Sequence, residues 1–224
     1  MPRLRKVDPS FRSLPLLITV LIAFIVSPLS AGASDTFRLG FALSLYLLIG
    51  ATSSLLTPGR KWPLLFGILV TLATAVQILS ARNETSILLA ISASVLPVAI
   101  NLLTLYIVLR FVLFSPAIHE MDRVIGATCG YFMLVYGWSR IFETLDHLDP
   151  AAFFYANGMT SAHDDFVYFS TVTLTTLGYG DITPASPVAR MFASLESIVG
   201  TLYVAIIIAS LVSRVSSRRT DSAV

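Results

Sequence analysis

The residues whose types and spacing could do chemistry lie in one run, Thr175-Thr176-Leu177-Gly178-Tyr179-Gly180-Asp181. Two glycines alternate with an aromatic residue, and glycine permits backbone conformations that a Cβ penalises. Such a backbone can turn its carbonyl oxygens to one side, where rings of oxygens replace the water around a dehydrated cation. A Gly-Tyr-Gly triplet alone is also compatible with an ordinary glycine-rich turn, so the surrounding elements must decide.

The residues before this loop are expected to form a short helix over 164–175. Asp164 and Asp165 can cap its N-terminus, where acidic side chains suit the positive end of the helix dipole. The negative end of the dipole would then point toward a cation held beyond the helix C-terminus.

Other side chains next to the loop are expected to support it. We expect Tyr179 to point away from the oxygens and to brace the loop against Tyr168 and Phe169 of the preceding helix. Thr175 leads into the loop, and Asp181 marks its outer mouth. The hydroxyl of Thr176 can add an oxygen at the inner end of the row.

The composition is that of an integral membrane protein. The 224 residues are 55% hydrophobic and only 12% charged, with a mean hydropathy of +0.81, whereas soluble domains contain about 25% charged residues. Apolar runs long enough to cross a bilayer occur at 14–30, 38–56, 63–80, 86–114, 122–145 and 187–213. The sequence predicts an all-α integral membrane fold with six transmembrane helices, and a re-entrant helix and loop between the fifth and sixth.

Charge placement favours a cytoplasmic N-terminus. If the spans alternate from there, the positive-inside rule is met, because the inner side receives eleven of the 15 basic residues: Arg3, Arg5, Lys6, Arg12, Arg60, Lys61, Arg110, Arg123, Arg214, Arg218 and Arg219. The outer side receives most of the acids: Asp35, Glu84, Glu143, Asp146, Asp149, Asp164, Asp165 and Asp181. We therefore expect a multi-pass protein of a cell membrane, plasma or bacterial inner, with both termini cytoplasmic.

The loop and the residues on either side of it resemble the pore-loop signature of tetrameric potassium channels, the standard example of a selectivity filter. The resemblance is carried by the run Tyr168-Phe169-Ser170-Thr171-Val172-Thr173-Leu174-Thr175-Thr176-Leu177-Gly178-Tyr179-Gly180-Asp181-Ile182-Thr183-Pro184. It extends through the spans at 122–145 and 187–213, whereas residues 14–114 resemble six-helix members only in helix count. The resemblance implies a passive K⁺-selective pore whose filter is Thr176, Leu177, Gly178, Tyr179 and Gly180, with K⁺ at the first four.

One loop supplies only one side of each ring of oxygens, so four subunits must surround a common axis. We expect a homotetramer that contacts membrane lipids and no nucleic acid. Each subunit is expected to have a basic N-terminus (1–13), a four-helix peripheral domain (14–114), a linker (115–121), a pore domain (122–213) and a cytoplasmic tail (214–224). No cytoplasmic ligand-binding domain is evident in this division.

Two residues of the sixth span are candidates for a gating role. Glu196 would lie about 15 Å along a helix that begins at Ser186-Pro187, and an intramembrane carboxylate usually faces protein or water. It would attract K⁺ if it faced the cavity, or hydrogen-bond the short helix if it faced the back of the filter, which we favour. Gly200 stands where the family often carries a hinge glycine, and close helix packing is an equally good interpretation.

The fourth span lacks the charges of a voltage sensor. Residues 86–109 contain no Arg or Lys, and Arg110 stands alone at the cytoplasmic end, whereas such sensors move roughly 3–4 charges per subunit. We therefore expect no steep voltage dependence.

The alternatives to a potassium channel are two other transport functions and an enzyme. A subunit of a K⁺ uptake transporter can carry a related pore loop, and a poorly selective cation channel would need an altered filter. One pore unit with an intact filter favours a channel. The sequence contains neither a hydrolytic dyad nor a His-Glu-x-x-His run, the motifs that would argue for an enzyme. The permeant K⁺ is the only cofactor expected.

Overall fold

The fold is mostly helical, with a small antiparallel sheet. A computed structural model describes residues 12–26, 48–52, 56, 68–73, 75–76, 87–115, 119–156 and 163–221. The helices are α1 (Leu14–Val26), α2 (Ile87–Phe114), α3 (Glu120–Leu148), α4 (His163–Leu174) and α5 (Pro187–Asp221), and the strands are β1 (Phe153–Tyr155) and β2 (Ile182–Pro184). Residues 48–52, 68–73 and 75–76 are also helical.

Four of the predicted spans overlap α1, α2, α3 and α5, and those at 38–56 and 63–80 lie largely outside the described residues. By length and composition, Val95–Phe114 and Pro187–Ser210 can cross a membrane, with mean hydropathies of 2.1 and 1.9. The apolar helix α1 has 13 residues, and the 29-residue α3 carries charged residues toward both ends. These helices are consistent with a membrane channel, and the number of six spans stays a prediction.

The helices extend beyond their apolar parts. The helix α3 begins at Glu120, inside the predicted linker 115–121, because acidic residues suit a helix N-terminus. At the other end of the chain, α5 continues to Asp221 and so includes most of the predicted tail. Hydropathy marks the part of a helix that meets lipid, whereas the helix itself ends where its capping and propensity dictate.

The chain divides into two compact units, residues 1–144 and 145–224. In the first unit, α2 buries Ile100, Thr104, Ile107 and Phe111, whose spacing of three or four residues places them on one helix face. Phe24 of α1 meets Phe132 of α3 edge to face, with ring centroids 5.3 Å apart. This unit contains α1, α2 and most of α3.

Two buried charged residues at the start of α3 bind the ends of the other two helices. Asp122, 1% exposed, accepts hydrogen bonds from the Ser13 N–H at 2.8 Å and from the Ser13 hydroxyl, and so caps α1. Arg123, 2% exposed, donates to the carbonyl oxygens of Val112 and, at 2.9 Å, of Ser115. Carbonyl groups at a helix C-terminus lack helical partners, so each charge complements the helix dipole that it meets.

Removing the Arg123 guanidinium is expected to destabilise this unit. Arg123→Gln should lower the free energy of unfolding by about 3 kcal/mol, because buried carbonyl groups lose a charged donor. A fall in the melting temperature of the solubilised protein would report this loss. Arg110→Gln is the matched control, since Arg110 is exposed and contacts the Tyr106 hydroxyl at 3.5 Å. Equal melting temperatures for Arg123→Gln and the wild type would contradict the assignment.

In the second unit, α4 packs against α5, and β1 pairs with β2. The strands are antiparallel, with Phe153 opposite Pro184 and Tyr155 opposite Ile182. The prediction of an all-α fold is therefore wrong in this detail, because three consecutive aromatic residues in the polar segment after α3 form a strand. Aromatic side chains favour strands wherever a partner strand is within reach.

Candidate functional site

The loop after α4 begins as a helix C-cap. The N–H of Thr176 donates to the carbonyl of Thr173 at 3.0 Å, and the N–H of Leu177 donates to that of Val172 at 2.8 Å. These two bonds define a Schellman motif, in which a left-handed residue, usually glycine, follows the helix. Here that residue is Thr176, with a φ of 59°. A non-glycine residue in this region costs about 1–3 kcal/mol, so the chain keeps a threonine at a position where glycine would be less strained.

Positive φ angles recur at every second loop residue: Thr176 at 59°, Gly178 at 52° and Gly180 at 82°. The N–H groups of Leu177 and Gly178 both donate to the carbonyl of Val172, at 2.8 and 3.1 Å. Because the C=O and N–H groups of a trans peptide point in opposite directions, the carbonyl oxygens of Thr176 and Leu177 point away from α4. The alternating backbone therefore directs neighbouring oxygens to one side of the loop.

The loop is open to its surroundings in a single chain. Residues 175–180 are all exposed, and the side chains of Leu177 and Tyr179 are 55% and 68% exposed. A Cβ built on Gly178 or Gly180 would meet no atom within 4 Å. Within one chain, these glycines are therefore required for their backbone angles and not for lack of space.

The C-terminal end of the loop is held to α4 by Tyr179 and Asp181. The Tyr179 ring stacks on that of Tyr168, with centroids 6.5 Å apart and planes inclined by 5°. The Tyr168 hydroxyl donates to Asp181 Oδ2 at 2.7 Å, and the Ile182 N–H donates to Oδ1 at 3.1 Å. The hydrogen bond to the carboxylate raises the pKa of Tyr168 to about 12. The phenol therefore stays protonated, and remains a donor, at physiological pH.

The helix α5 approaches α4 at two points one turn apart. Ser170 Oγ donates to Glu196 Oε1 at 2.5 Å, and both side chains are fully buried. Glu196 Oε2 has no hydrogen-bond partner in the described part of the chain. Four residues further along, a Cβ on Gly200 would collide with the main-chain oxygen of Leu174 and lie 2.9 Å from its Cγ. Glu196 thus faces α4, and close packing accounts for the glycine at position 200.

The hydrogen bond between Ser170 and Glu196 is expected to stabilise the second unit. Ser170→Ala should cost about 2 kcal/mol, because it removes the donor to a buried carboxyl group. Adding Glu196→Leu should recover much of that loss, since replacing both partners by apolar groups can be nearly neutral. Melting temperatures of the single and double variants measure the coupling. The control is Ser194→Ala, because the exposed Ser194 bonds its own helix at 2.8 Å, and strictly additive losses would argue against the pair.

Most of the candidate residues lie in or next to the loop. The other two, Glu196 and Gly200, contact α4 from α5. Thr175 to Gly180 form the loop, and Tyr168 and Asp181 meet at its C-terminal end. Because α4 begins at His163, Asp165 lies in its first turn. Phe169 is buried and meets the Phe153 ring, with centroids 5.5 Å apart.

Sequence reasoning did not identify Ser170, Leu174 or Phe153 as partners of the site. A signal for Phe153 is the run Phe153-Phe154-Tyr155 in an otherwise polar segment. No cluster of three His, Cys, Asp or Glu side chains suited to a metal ion occurs among the described residues.

Comparisons with known proteins bear on the same region. Residues 124–217 match the family model described as ion channel. The chain is 42% identical over 66 residues to two pore potassium channel c of Oryza sativa subsp. japonica and 43% identical over 51 residues to two-pore potassium channel 3 of Arabidopsis thaliana. It is 41% identical over 58 residues to a protein of Rhodopseudomonas palustris named as a potassium channel protein. No solved structure matches the chain significantly.

These matches are local. They cover 30%, 23% and 25% of this chain and 14%, 12% and 14% of the relatives' own lengths. Together with the apolar helices, they define residues 124–217 as an ion channel domain of a membrane protein. Residues 124–217 therefore resemble ion channels, and the three relatives that match part of this chain carry names of potassium channels.

Proposed function

We propose that the protein is a K⁺-selective channel that conducts ions passively across a cell membrane. The observation that carries the proposal is the alternating backbone of residues 176–180, with two N–H groups bound to Val172. This arrangement turns the oxygens of Thr176 and Leu177 away from α4, where rows of carbonyl oxygens can replace the hydration shell of K⁺. The names of the relatives support K⁺ as the permeant ion.

The proposed ion sites lie along the loop. K⁺ would bind main-chain oxygens of Thr176, Leu177, Gly178 and Tyr179, with the Thr176 hydroxyl at the inner end and Gly180 at the outer end. Thr175, Tyr168, Phe169 and Asp181 would support this row of oxygens. The stacking of Tyr179 on Tyr168 supports the assignment, because it holds the aromatic side chain against α4 and away from the proposed ion path.

The channel is proposed to be a homotetramer, since one loop supplies one side of each ring. The exposure of the loop in the single chain supports this, because a row of ion-binding oxygens needs partners across the axis. A broad apolar surface of α5 is also exposed, including Val188, Met191, Leu195, Ile198 and Leu202. In the proposed assembly, neighbouring subunits and lipids cover such a surface.

The proposed subunit crosses the membrane six times with both termini in the cytoplasm. The peripheral domain would be 14–114 and the pore domain 122–213, joined by the linker 115–121. Weak voltage dependence is proposed because residues 87–109 of α2 carry no Lys or Arg, and a sensor helix needs several such charges. Glu196 and Gly200 are proposed to influence gating through their contacts with α4.

Flux measurements on purified protein test the proposal. Proteoliposomes loaded with K⁺ are expected to release it down a gradient without ATP or a partner protein, and to retain Na⁺ under matched conditions. Empty liposomes report leakage. A requirement for a partner or an energy source would favour the subunit of an uptake transporter, and equal release of Na⁺ and K⁺ would favour a poorly selective cation channel.

A further inference from the structure

The segment that follows α3 forms a strand attached to the exit of the loop. The strand β1 pairs with β2, which begins two residues after Gly180. At one end of this pairing, the N–H groups of Ala185 and Ser186 donate to the carbonyl of Ala152 at 2.8 and 3.2 Å. At the other end, the N–H of Ala156 donates to the carbonyl of Asp181 at 2.8 Å. The bond from Ala156 therefore holds the carbonyl of Asp181, the first residue after the Gly-Tyr-Gly triplet.

The same strand is anchored to α4 by one aromatic side chain. Phe153 is 5% exposed, and its ring meets those of Phe166 and Phe169 edge to face, with centroids 5.1 and 5.5 Å away. Its neighbour Phe154 points to the other face of the strand and is 61% exposed. Because successive strand residues alternate in direction, β1 binds α4 with one face only.

These contacts form a closed ring of interactions that joins α4, β1 and Asp181. The helix α4 holds β1 through Phe153, β1 holds the Asp181 main chain through Ala156, and the Asp181 side chain returns to α4 through Tyr168 at 2.7 Å. Asp181 is thus fixed both through its carbonyl and through its carboxylate. Phe153 is therefore linked to Asp181 along β1 by one hydrogen bond, from the Ala156 N–H, and through α4 by a second, from the Tyr168 hydroxyl.

We propose that Phe153 and the main-chain N–H of Ala156 are positioning groups that hold the outer end of the filter in its ion-selecting geometry. The inference rests on the proposed function, since it assigns a role in K⁺ selection. Neither group touches the ion. Both act through Asp181 and β2, whose placement decides where the oxygens of Tyr179 and Gly180 lie.

The experiment compares adjacent phenylalanines in the full-length protein. Phe153→Ala is expected to lower the K⁺ to Na⁺ permeability ratio, measured from reversal potentials in planar bilayers, by about tenfold, because the loss of a buried aromatic anchor loosens the loop. Phe154→Ala should leave the ratio unchanged. Phe153→Leu, which keeps an apolar anchor, should restore most of it. A merely structural role would lower the yield and melting temperature of Phe153→Ala without changing the ratio in the channels that assemble.

A second pair of variants tests the backbone contact and covers the case in which Phe153→Ala does not fold. Ala156→Pro removes the main-chain N–H that donates to the Asp181 carbonyl, whereas Ala156→Ser keeps it. The proline variant should lose selectivity and the serine variant should not. Wild-type selectivity in Ala156→Pro, or equal losses in Phe153→Ala and Phe154→Ala, would overturn the inference. A wild-type protein that does not select K⁺ would instead overturn the proposed function.

Discussion

Gly178→Ala is expected to lower K⁺ flux through the reconstituted protein by about 100-fold or more, since a dehydrated cation that loses a ring of partners loses several kcal/mol. Gly178 has a φ of 52°, and a Cβ added to it would meet no atom within 4 Å in a single chain. The penalty is therefore in the backbone, where an L-residue in the left-handed region costs about 1–2 kcal/mol. Relaxation to a negative φ would turn the neighbouring peptide and remove its oxygen from the row.

The control for this prediction is Gly137→Ala. Gly137 lies in α3, where alanine favours the helix, and an added Cβ would lie 3.0 Å from the side-chain oxygen of Asn101, which must shift by a few tenths of an ångström, whereas no main-chain atom stands in the way. We expect this variant to assemble and to conduct K⁺. Stopped-flow flux on matched proteoliposomes measures both variants. Selective K⁺ flux through Gly178→Ala at the wild-type rate would contradict the role of the alternating backbone.

Gly200→Ala is expected to impair both the stability of the protein and its K⁺ flux. The added Cβ collides with the main-chain oxygen of Leu174 and approaches its Cγ at 2.9 Å and its Cδ1 at 3.0 Å. Leu174 is 1% exposed and is the last residue of α4, so the collision cannot be relieved without moving the start of the loop. Overpacking of this kind costs about 1–3 kcal/mol, and we expect both the melting temperature and the K⁺ flux to fall.

The next residue provides the control for Gly200. Thr201 is exposed and its hydroxyl bonds the Ser197 carbonyl at 2.9 Å, so Thr201→Ala should leave the melting temperature nearly unchanged. A Gly200→Ala variant of wild-type stability that opens less often would show that the glycine acts as a hinge. A variant of wild-type stability and wild-type flux would refute both interpretations of this position.

The parts of the site that the sequence predicts are those that local chemistry determines. The left-handed positions at Gly178 and Gly180 follow from residue type, and the helix before the loop follows from its caps and length. The structure adds a positive φ at Thr176, which residue type does not predict, because threonine disfavours that conformation and the C-cap of α4 imposes it.

The contacts that the sequence does not predict join residues far apart in the chain. The sequence favours a hydrogen bond from Glu196 to the helix before the loop but does not name Ser170, 26 positions away, as its partner, because only the packing of α4 on α5 brings the two residues together. The sequence counts Arg123 only as one of the basic residues on the inner side, and does not predict that its guanidinium is buried and binds carbonyl groups at the end of α2. The strand β1 is three residues long, too short for an alternating pattern to reveal it.

The most direct test of the account is a reversal potential across a bilayer with a tenfold K⁺ gradient, in which Na⁺ replaces the missing K⁺ so that both sides hold the same total concentration of monovalent cations. A filter that strips and holds K⁺ predicts a reversal potential close to the Nernst value, about 59 mV for a singly charged ion. A reversal potential near zero would mean that Na⁺ carries current as readily as K⁺, and would contradict the assignment of residues 176–180 as a potassium filter.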